Sequence, residues 1–410
     1  METVRIGVFG CRRGTAFMDA VKCVDGATVT AICEKDHDVL EDAKRYCNEG
    51  VAAYDNWDDF INSKKFDAVV LVNYFNEHAQ YAIDAMKKGY DVLSETMAAS
   101  TMALCVELCR TVEETGRIYM FAENYPFCRS VLEMRRLYQG GSLGKLIYSQ
   151  GEYVHPMTIG EHHYFRDPKT RGQFHWRRYE PATYYSSHAL APIMYITNAR
   201  PKSVVGMCAN DTKEHYEQTW RVTKNALGIL LIQMDDGSIC EVTGNTYMGP
   251  HGNWYRIACT DGGAETCRDN QNEVRLKYCS WAKIPKDKVA SQVYEPEWPA
   301  HAAEANRAGH GGGDFWTVFN FVNAIRERKA NFFDVYTATA MSATAIMAWK
   351  SVLKGSSAMK VPDLRKEAAR KKFENDIDNP FPTWNKEEPD NNIPFDYGDV
   401  RSSRIKKNID

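Results

Sequence analysis

Two tyrosine–histidine pairs stand in the middle of this 410-residue chain, Tyr153-Val154-His155 and Tyr185-Ser186-Ser187-His188. An imidazole titrates near neutrality, and a phenol becomes a base when a cation sits nearby, so either group can take a proton from a hydroxyl. Residues three apart share one face of a helical turn, which groups Tyr185 with His188. Residues two apart share one face of a strand, which groups Tyr153 with His155. Two such pairs converging over one ring would suit polyol recognition and proton transfer. The plainer alternative is that Tyr153 and His155 are packed strand residues and that His188 serves a helix N terminus.

A second set lies near the N terminus. Gly10-Cys11-Arg12-Arg13-Gly14 separates the apolar run Arg5 to Phe9 from a helical stretch. A glycine there lets the backbone turn tightly and approach a diphosphate seated on the helix N terminus. Arg12 occupies the place of the middle glycine of G-x-G-x-x-G, so the turn alone is a weak mark. Glu34 ends the next strand, 24 residues after Gly10. A carboxylate at that place accepts hydrogen bonds from ribose hydroxyls and repels a 2′-phosphate. Asn73 directly follows the strand Ala68 to Val72, at the same sheet edge. The three features together point to a dinucleotide, NAD before NADP, with Lys35 beside Glu34 keeping NADP open.

The elements that must carry these groups alternate over the first third. Strands are predicted at Arg5–Phe9, Ala27–Cys33, Phe66–Val72, Tyr90–Leu93 and Ile118–Phe121. Helices are predicted at Thr15–Val24, Val39–Tyr46, Asn56–Asn62, Glu77–Lys88 and Thr101–Thr115. Short strands that are apolar throughout and spaced by helices are buried on both faces, the pattern of a doubly wound parallel sheet. The rhythm changes after about residue 123. A helix over Arg129–Tyr138 is followed by strands at Leu146–Val154, Ser203–Met207, Ala226–Met234, Ile239–Thr246 and Trp254–Thr260. The turn Asp235-Asp236-Gly237-Ser238 suits a hairpin. Helices at Asp314–Arg326 and Val335–Leu353 are expected to close this part.

The expected class is therefore α/β plus α+β. A Rossmann domain spans 1–122, an α+β domain with an open, mainly antiparallel sheet spans 123–373, and an Asp-, Asn-, Pro- and Lys-rich tail spans 374–410. That tail reads as extended, wrapped over a neighbour or mobile.

The chain holds 51 basic and 54 acidic residues, a net charge of −3, so no basic field recruits nucleic acid or an anionic membrane. No apolar run approaches the ~20 residues of a membrane helix. Twelve cysteines without CxxC pairing read as buried thiols of a reducing compartment, and the N terminus runs straight into a strand, so a cytoplasmic protein is expected. Adjacent His162 and His163 read as part of a substrate-side loop or as nothing. No spacing demands a metal.

On these marks the chain resembles the Gfo/Idh/MocA oxidoreductases. The residues that carry the likeness are Ile6-Gly7-Val8-Phe9-Gly10, Asp67-Ala68-Val69-Val70 running to Asn76-Glu77-His78, Gly89-Tyr90-Asp91-Val92-Leu93-Ser94-Glu95, Gly144-Lys145-Leu146-Ile147 and Asp334-Val335-Tyr336. The resemblance implies a nicotinamide cofactor between a Rossmann domain and an open sheet, in a homodimer or homotetramer. Typical members carry Glu-Lys-Pro after the fifth strand, whose lysine assists proton transfer, whereas this chain has Glu95-Thr96-Met97. Ala122-Glu123-Asn124-Tyr125, the two Tyr/His motifs and His310-Gly311-Gly312-Gly313-Asp314 are similar to a subgroup that also lacks the lysine. It contains the NAD-dependent α-N-acetylgalactosaminidases and relatives that make or reduce 3-keto sugars. Around Tyr185 this chain has Ser186, Ala189 and Ala191 where the glycosidases carry proline and glycines.

The resemblance implies cofactor contacts at Gly10, Cys11, Arg12, Arg13, Gly14, Glu34, Asn73, Asn76, His78, Glu95, Thr96 and Asn124. It implies chemistry at His188, Tyr185, His155, Tyr153 and Glu123, with substrate contacts at Trp176, Arg177, Tyr184 and His310. Trp176 and Arg177 lie in an aromatic and arginine-rich loop that suits either sugar stacking or a subunit contact. Three activities follow: oxidation or reduction of a sugar or glycoside hydroxyl, at C3; a glycosidase that recycles its NAD; or a non-catalytic sugar or nucleotide sensor.

Overall fold

The computed structural model describes residues 3–156, 175–212, 222–245, 249–286, 289–381 and 392–394, and its chain divides into two compact units. The first comprises residues 1–128, 298–339 and 364–375. Its strands β1 (Val4–Phe9), β2 (Ala27–Cys33), β3 (Ala52–Tyr54), β4 (Ala68–Leu71), β5 (Asp91–Ser94) and β6 (Tyr119–Phe121) are ordered β3-β2-β1-β4-β5-β6. Every pairing is parallel. All residues of β4 and β5 are buried, which is why these runs are apolar without alternation. The strand order reverses between β1 and β4. At that switch point the carboxyl ends of the strands leave a crevice for a dinucleotide.

The chain returns to this unit late. The helix Gly313–Glu327 packs beside the helix Cys11–Lys22. Its Arg326 guanidinium donates to the carbonyls of Asp25 and Gly26, both at 2.9 Å. The expected contiguous domain at 123–373 is thus corrected: residues 298–339 and 364–375 belong with the N-terminal sheet. Phe315, Val318, Phe321 and Val322 of this helix are buried. An apolar face of that kind needs a wall, but its sequence does not say which wall.

The second unit comprises residues 129–297, 340–363 and 376–410. The unit boundary falls inside the helix Val335–Leu353. Its strands are β7 (Leu146–Val154), β8 (Pro201–Asn210), β9 (Asn225–Met234), β10 (Ile239–Asn245), β11 (Gly252–Cys259), β12 (Gly262–Thr266), β13 (Val274–Tyr278), β14 (Ser291–Tyr294) and β15 (Met359–Lys360). They form one sheet in the order β14-β13-β12-β11-β7-β10-β9-β8-β15. Among the described residues only β7 and β10 run parallel; the other pairings are antiparallel. The β9–β10 hairpin turns as its residues predict, with Gly237 at φ 91° and the Asp236 carboxylate accepting from the Ser238 N–H.

The helix Ser187–Thr197 lies directly on this sheet. Glycines make the approach possible. A Cβ on Gly151 of β7 would stand 1.9 Å from the Ala189 carbonyl oxygen, and one on Gly228 of β9 would stand 2.6 Å from that of Ala182. Gly228 faces Gly244 of β10 across the strands, so the sheet has a smooth furrow where the segment 182–189 rests.

The described part of the expected tail is packed on its own chain. Phe381 and Ile393 are buried, the Trp349 indole donates to the Pro394 carbonyl at 2.6 Å, and Lys350 pairs with Asp376 and Asp378. Among the described residues no helix is long and apolar enough to cross a membrane.

Candidate cofactor site and ring cluster

The cofactor loop is built where β1 meets its helix. Gly10 sits at φ 93°, and a Cβ there would come within 2.6 Å of the Val72 carbonyl oxygen. Only glycine brings the end of β1 this close to the end of β4. The helix starts at once, at Cys11 rather than at the predicted Thr15, so its N-terminal turn opens at the switch point. Gly14 lets the helix settle on Val8. Glu34 is anchored here: one carboxylate oxygen accepts from the Cys11 N–H at 3.0 Å and the other from the Asp36 N–H at 3.2 Å. Burial pushes the Cys11 thiol up, so it is a packing group. Arg12 pairs with Asp36 at 3.0 Å, and the Lys35 ammonium lies 4.2 Å from the centre of the Tyr74 ring.

Along the same sheet edge several buried polar atoms have no hydrogen-bond partner among the described residues: both side-chain polar atoms of Asn73, and the Oδ1 atoms of Asn76 and Asn124. Buried amide groups left unpaired cost about 1–3 kcal/mol each. An elongated ligand rich in hydroxyls and amides, laid from Glu34 past Gly10 to Asn124, satisfies them. The donor set therefore fits a nicotinamide dinucleotide.

Glu95 and Thr96 are buried after β5, with the Glu95 carboxylate accepting from the Thr96 N–H at 3.1 Å. Glu95 also pairs with Arg13 at 3.3 Å, and Arg13 reaches Asp314 at 3.2 Å. His310, expected on the substrate side, is placed in this unit with its Nδ1–H donating to Asp314 at 2.8 Å. Glu123 follows β6 and is fully buried. Glu123 and His310 thus belong to the first unit, while His155 and His188 belong to the second.

His78 is buried with its Nδ1–H donating to the Met97 carbonyl at 3.1 Å. Burial pulls its pKa from 6.5 down to about 4, partly offset by backbone acceptors. The unfolded chain therefore binds this proton first as the pH falls. The stability due to the neutral ring is complete above about pH 6.5 and is lost on the way to pH 4. The loss amounts to about 3 kcal/mol. Urea midpoints measured from pH 7 to pH 4.5 should fall more steeply for the wild type than for His78→Gln; parallel profiles would refute this account.

The ring cluster is in the second unit. Tyr153, near the end of β7, is its hub. Its ring centroid lies 4.7 Å from that of His188, 5.6 Å from Tyr185 and 5.9 Å from His155. Tyr185 and His188 meet edge to face at 5.2 Å. The helix begins at Ser187, so Tyr185 precedes it and the pair spans the entry to the helix rather than a turn within it. The Tyr255 hydroxyl donates to the His188 carbonyl at 2.9 Å and pins this entry to β11. Ser186 Oγ is buried there without a partner among the described residues. The Trp176 ring stacks on Tyr185 at 5.9 Å, and the Arg177 guanidinium lies 5.4 Å from the centre of the Tyr185 ring. Four of the expected chemical residues and two of the expected substrate residues thus meet in one cluster.

Tyr184 departs from its expected place. It is 1% exposed and packs edge-on against Phe381, which makes it a core residue. Neighbouring side chains point different ways here, and Tyr185 takes the cluster side. Three residues were missed. His251 stands 5.2 Å from the His155 ring, Asp36 holds Arg12, and Asp314 gathers Arg13, Asn124 and His310. Asp314 could have been singled out from the His310-Gly311-Gly312-Gly313-Asp314 run; His251 carried no local signal. His162 and His163 lie outside the described residues.

Comparison with known proteins gives two family matches. Residues 4–123 match the oxidoreductase family, NAD-binding Rossmann fold (Gfo/Idh/MocA), and residues 210–371 match the glycosyl hydrolase 109, C-terminal domain. A glycosyl hydrolase family 109 protein of Shewanella pealeana is 25% identical over 402 residues, covering 90% of this chain and 87% of its own. An alpha-N-acetylgalactosaminidase of Tannerella forsythia is 23% identical over 413 residues, covering 88% and 86%. Among solved structures, levoglucosan dehydrogenase in complex with NADH aligns with a TM-score of 0.75 at 16% identity, over 88% of this chain and all of the other. The myo-inositol 2-dehydrogenase of Lactobacillus plantarum aligns with a TM-score of 0.67 at 18% identity, over 88% of this chain and 100% of the other. These structures share the fold.

Proposed function

From a chain that joins an NAD-binding domain of the Gfo/Idh/MocA oxidoreductases to a glycosyl hydrolase 109 C-terminal domain, we propose an enzyme that oxidises or reduces a sugar or glycoside hydroxyl, at C3, by hydride exchange with NAD. The observation that carries this reading is the Tyr153, Tyr185, His188 and His155 ring cluster in a chain with Thr96 in place of the usual lysine. Bound NAD supplies the hydride acceptor. His188 and Tyr185 take the hydroxyl proton, and Tyr153 holds both rings in register. Trp176 and Arg177 offer a face and a cation beside Tyr185 for a pyranose. Glu123 serves as a base or hydroxyl-binding group. The same reading has the protein act as a cytoplasmic homodimer or homotetramer, without nucleic acid or membrane partners.

The glycosyl hydrolase 109 match favours one further step. A ketone at C3 acidifies the C2–H, and loss of that proton expels the C1 substituent. Addition of water at C1 and return of the hydride to C3 would close a redox-neutral cleavage.

Incubation with NAD and a panel of free sugars and p-nitrophenyl glycosides separates these outcomes. Net absorbance at 340 nm with a keto sugar marks the oxidoreductase. Release of nitrophenol and free sugar without net absorbance marks the cleaving enzyme. Neither signal on any substrate, with NAD bound, would refute both.

A further inference from the structure

Asp314 is 0% exposed and lies in the first turn of the late helix Gly313–Glu327. A bare carboxylate so placed would be costly, yet this one has partners on both oxygens. Oδ1 accepts from the Asn124 amide at 2.9 Å and pairs with Arg13 at 3.2 Å, while Oδ2 accepts from His310 at 2.8 Å. Burial alone would push the carboxyl up, but the His310 hydrogen bond, the Arg13 charge and the Asn124 amide outweigh it and hold it well below the usual carboxylate range. It is therefore a fixed anion.

A fixed anion decides how Asn124 points. A side-chain amide can turn over, exchanging its oxygen and nitrogen. A carboxylate only accepts, so the nitrogen must face Asp314. The Asn124 oxygen then faces the other way. It is buried and has no partner among the described residues, in a residue 3% exposed. Asn124 follows β6, on the β4-β5-β6 side of the switch point, whereas Glu34 directly follows β2 on the opposite side. With the adenosine ribose at Glu34, the nicotinamide half lies on the Asn124 side.

We propose that Asp314 is a positioning residue for the nicotinamide half of the cofactor, fixing Asn124 Oδ1 as an acceptor for an N–H or O–H donor of the nicotinamide riboside. The inference rests on the NAD reading above and adds a residue from the far end of the chain to it. An asparagine at 314 loses the fixed polarity, because its own amide can offer either atom to Asn124.

Calorimetric titration of the full-length protein with NAD and with ADP, which lacks the nicotinamide riboside, tests this. In Asn124→Ala, NAD affinity should fall about tenfold or more while ADP affinity stays within about threefold; in Asp314→Asn, which also releases Arg13 of the glycine turn, the loss for NAD should exceed the loss for ADP by about tenfold. Measured relative to ADP, the double variant should lose no more NAD affinity than Asn124→Ala, since both changes remove one contact to the nicotinamide half. Equal losses for NAD and ADP, or additive losses relative to ADP in the double variant, would overturn the inference. Should Asp314→Asn not fold, Asp314→Glu, which keeps the charge but displaces it, takes its place in the same comparison. Wild-type protein that binds ADP but gains nothing from the nicotinamide half overturns this inference alone; protein that binds neither ligand overturns the NAD reading with it.

Discussion

Replacement of His188 by alanine should lower turnover by about 10²–10⁴-fold, the usual contribution of a positioned general base. The loss should fall on kcat, with NAD binding unchanged, because His188 is not one of the residues that the NAD reading assigns to holding the cofactor. The fold should survive. The His188 backbone is held by the Tyr255 hydroxyl through its carbonyl, a bond that alanine keeps. Tyr153→Phe separates packing from proton chemistry: it preserves the ring that touches His155, Tyr185 and His188 and removes only the hydroxyl. Steady-state kinetics on the best substrate of the glycoside panel, with NAD titration and thermal melting as controls, measure all three effects. Turnover by His188→Ala within threefold of wild type on every substrate would end the proposal that this cluster moves the proton.

Gly151→Ala should be among the most destabilising single changes in the second unit. The added methyl would stand 1.9 Å from the Ala189 carbonyl oxygen, a backbone atom that cannot rotate aside. Either the strand or the helix Ser187–Thr197 must move, and overpacking against backbone costs about 3 kcal/mol or more. For a domain of this size that corresponds to roughly 6–12 °C in melting temperature. Ala189 adjoins His188, so activity should fall as well in whatever protein remains folded. Gly237→Ala provides the contrast. It sits in the hairpin at φ 91° with nothing within 4 Å, so it carries backbone strain of about 1 kcal/mol and no clash. A Gly151→Ala protein that melts within about 2 °C of wild type would show that the furrow is not tightly closed.

How much of this was legible beforehand differs between the two units. Five of the six parallel strands lie largely where continuous apolar runs placed them; the sixth, β3, gives no such run because Ala52–Tyr54 is only three residues long and partly exposed. In the second unit β7 to β11 were visible by alternation or apolar run, whereas β12 to β14 were not. Gly262-Gly263 opens β12, and Val274–Tyr278 is a five-residue strand whose Arg275 and Lys277 face outward. Such segments are strands because neighbours pair with them, not because their own residues insist on it.

The sequence by itself determined the local things. These are the doubly wound rhythm, the glycine turn with Glu34 and Asn73 at one sheet edge, the absent lysine at Thr96, and the short spacings of Tyr153 with His155 and Tyr185 with His188. Each is read from a local pattern: the apolar rhythm of the strands, the residue types at strand ends, or a spacing of two or three residues. The tertiary structure decided which faces meet. It brought Asp314 to Arg13 across 301 residues, assigned the late helix to the first unit, set His251 beside His155, and sent Tyr184 into the core while Tyr185 joined the cluster. Those outcomes depend on packing complementarity among apolar surfaces and on where a furrow of glycines admits a helix. Neither quantity is a property of any one segment of the chain.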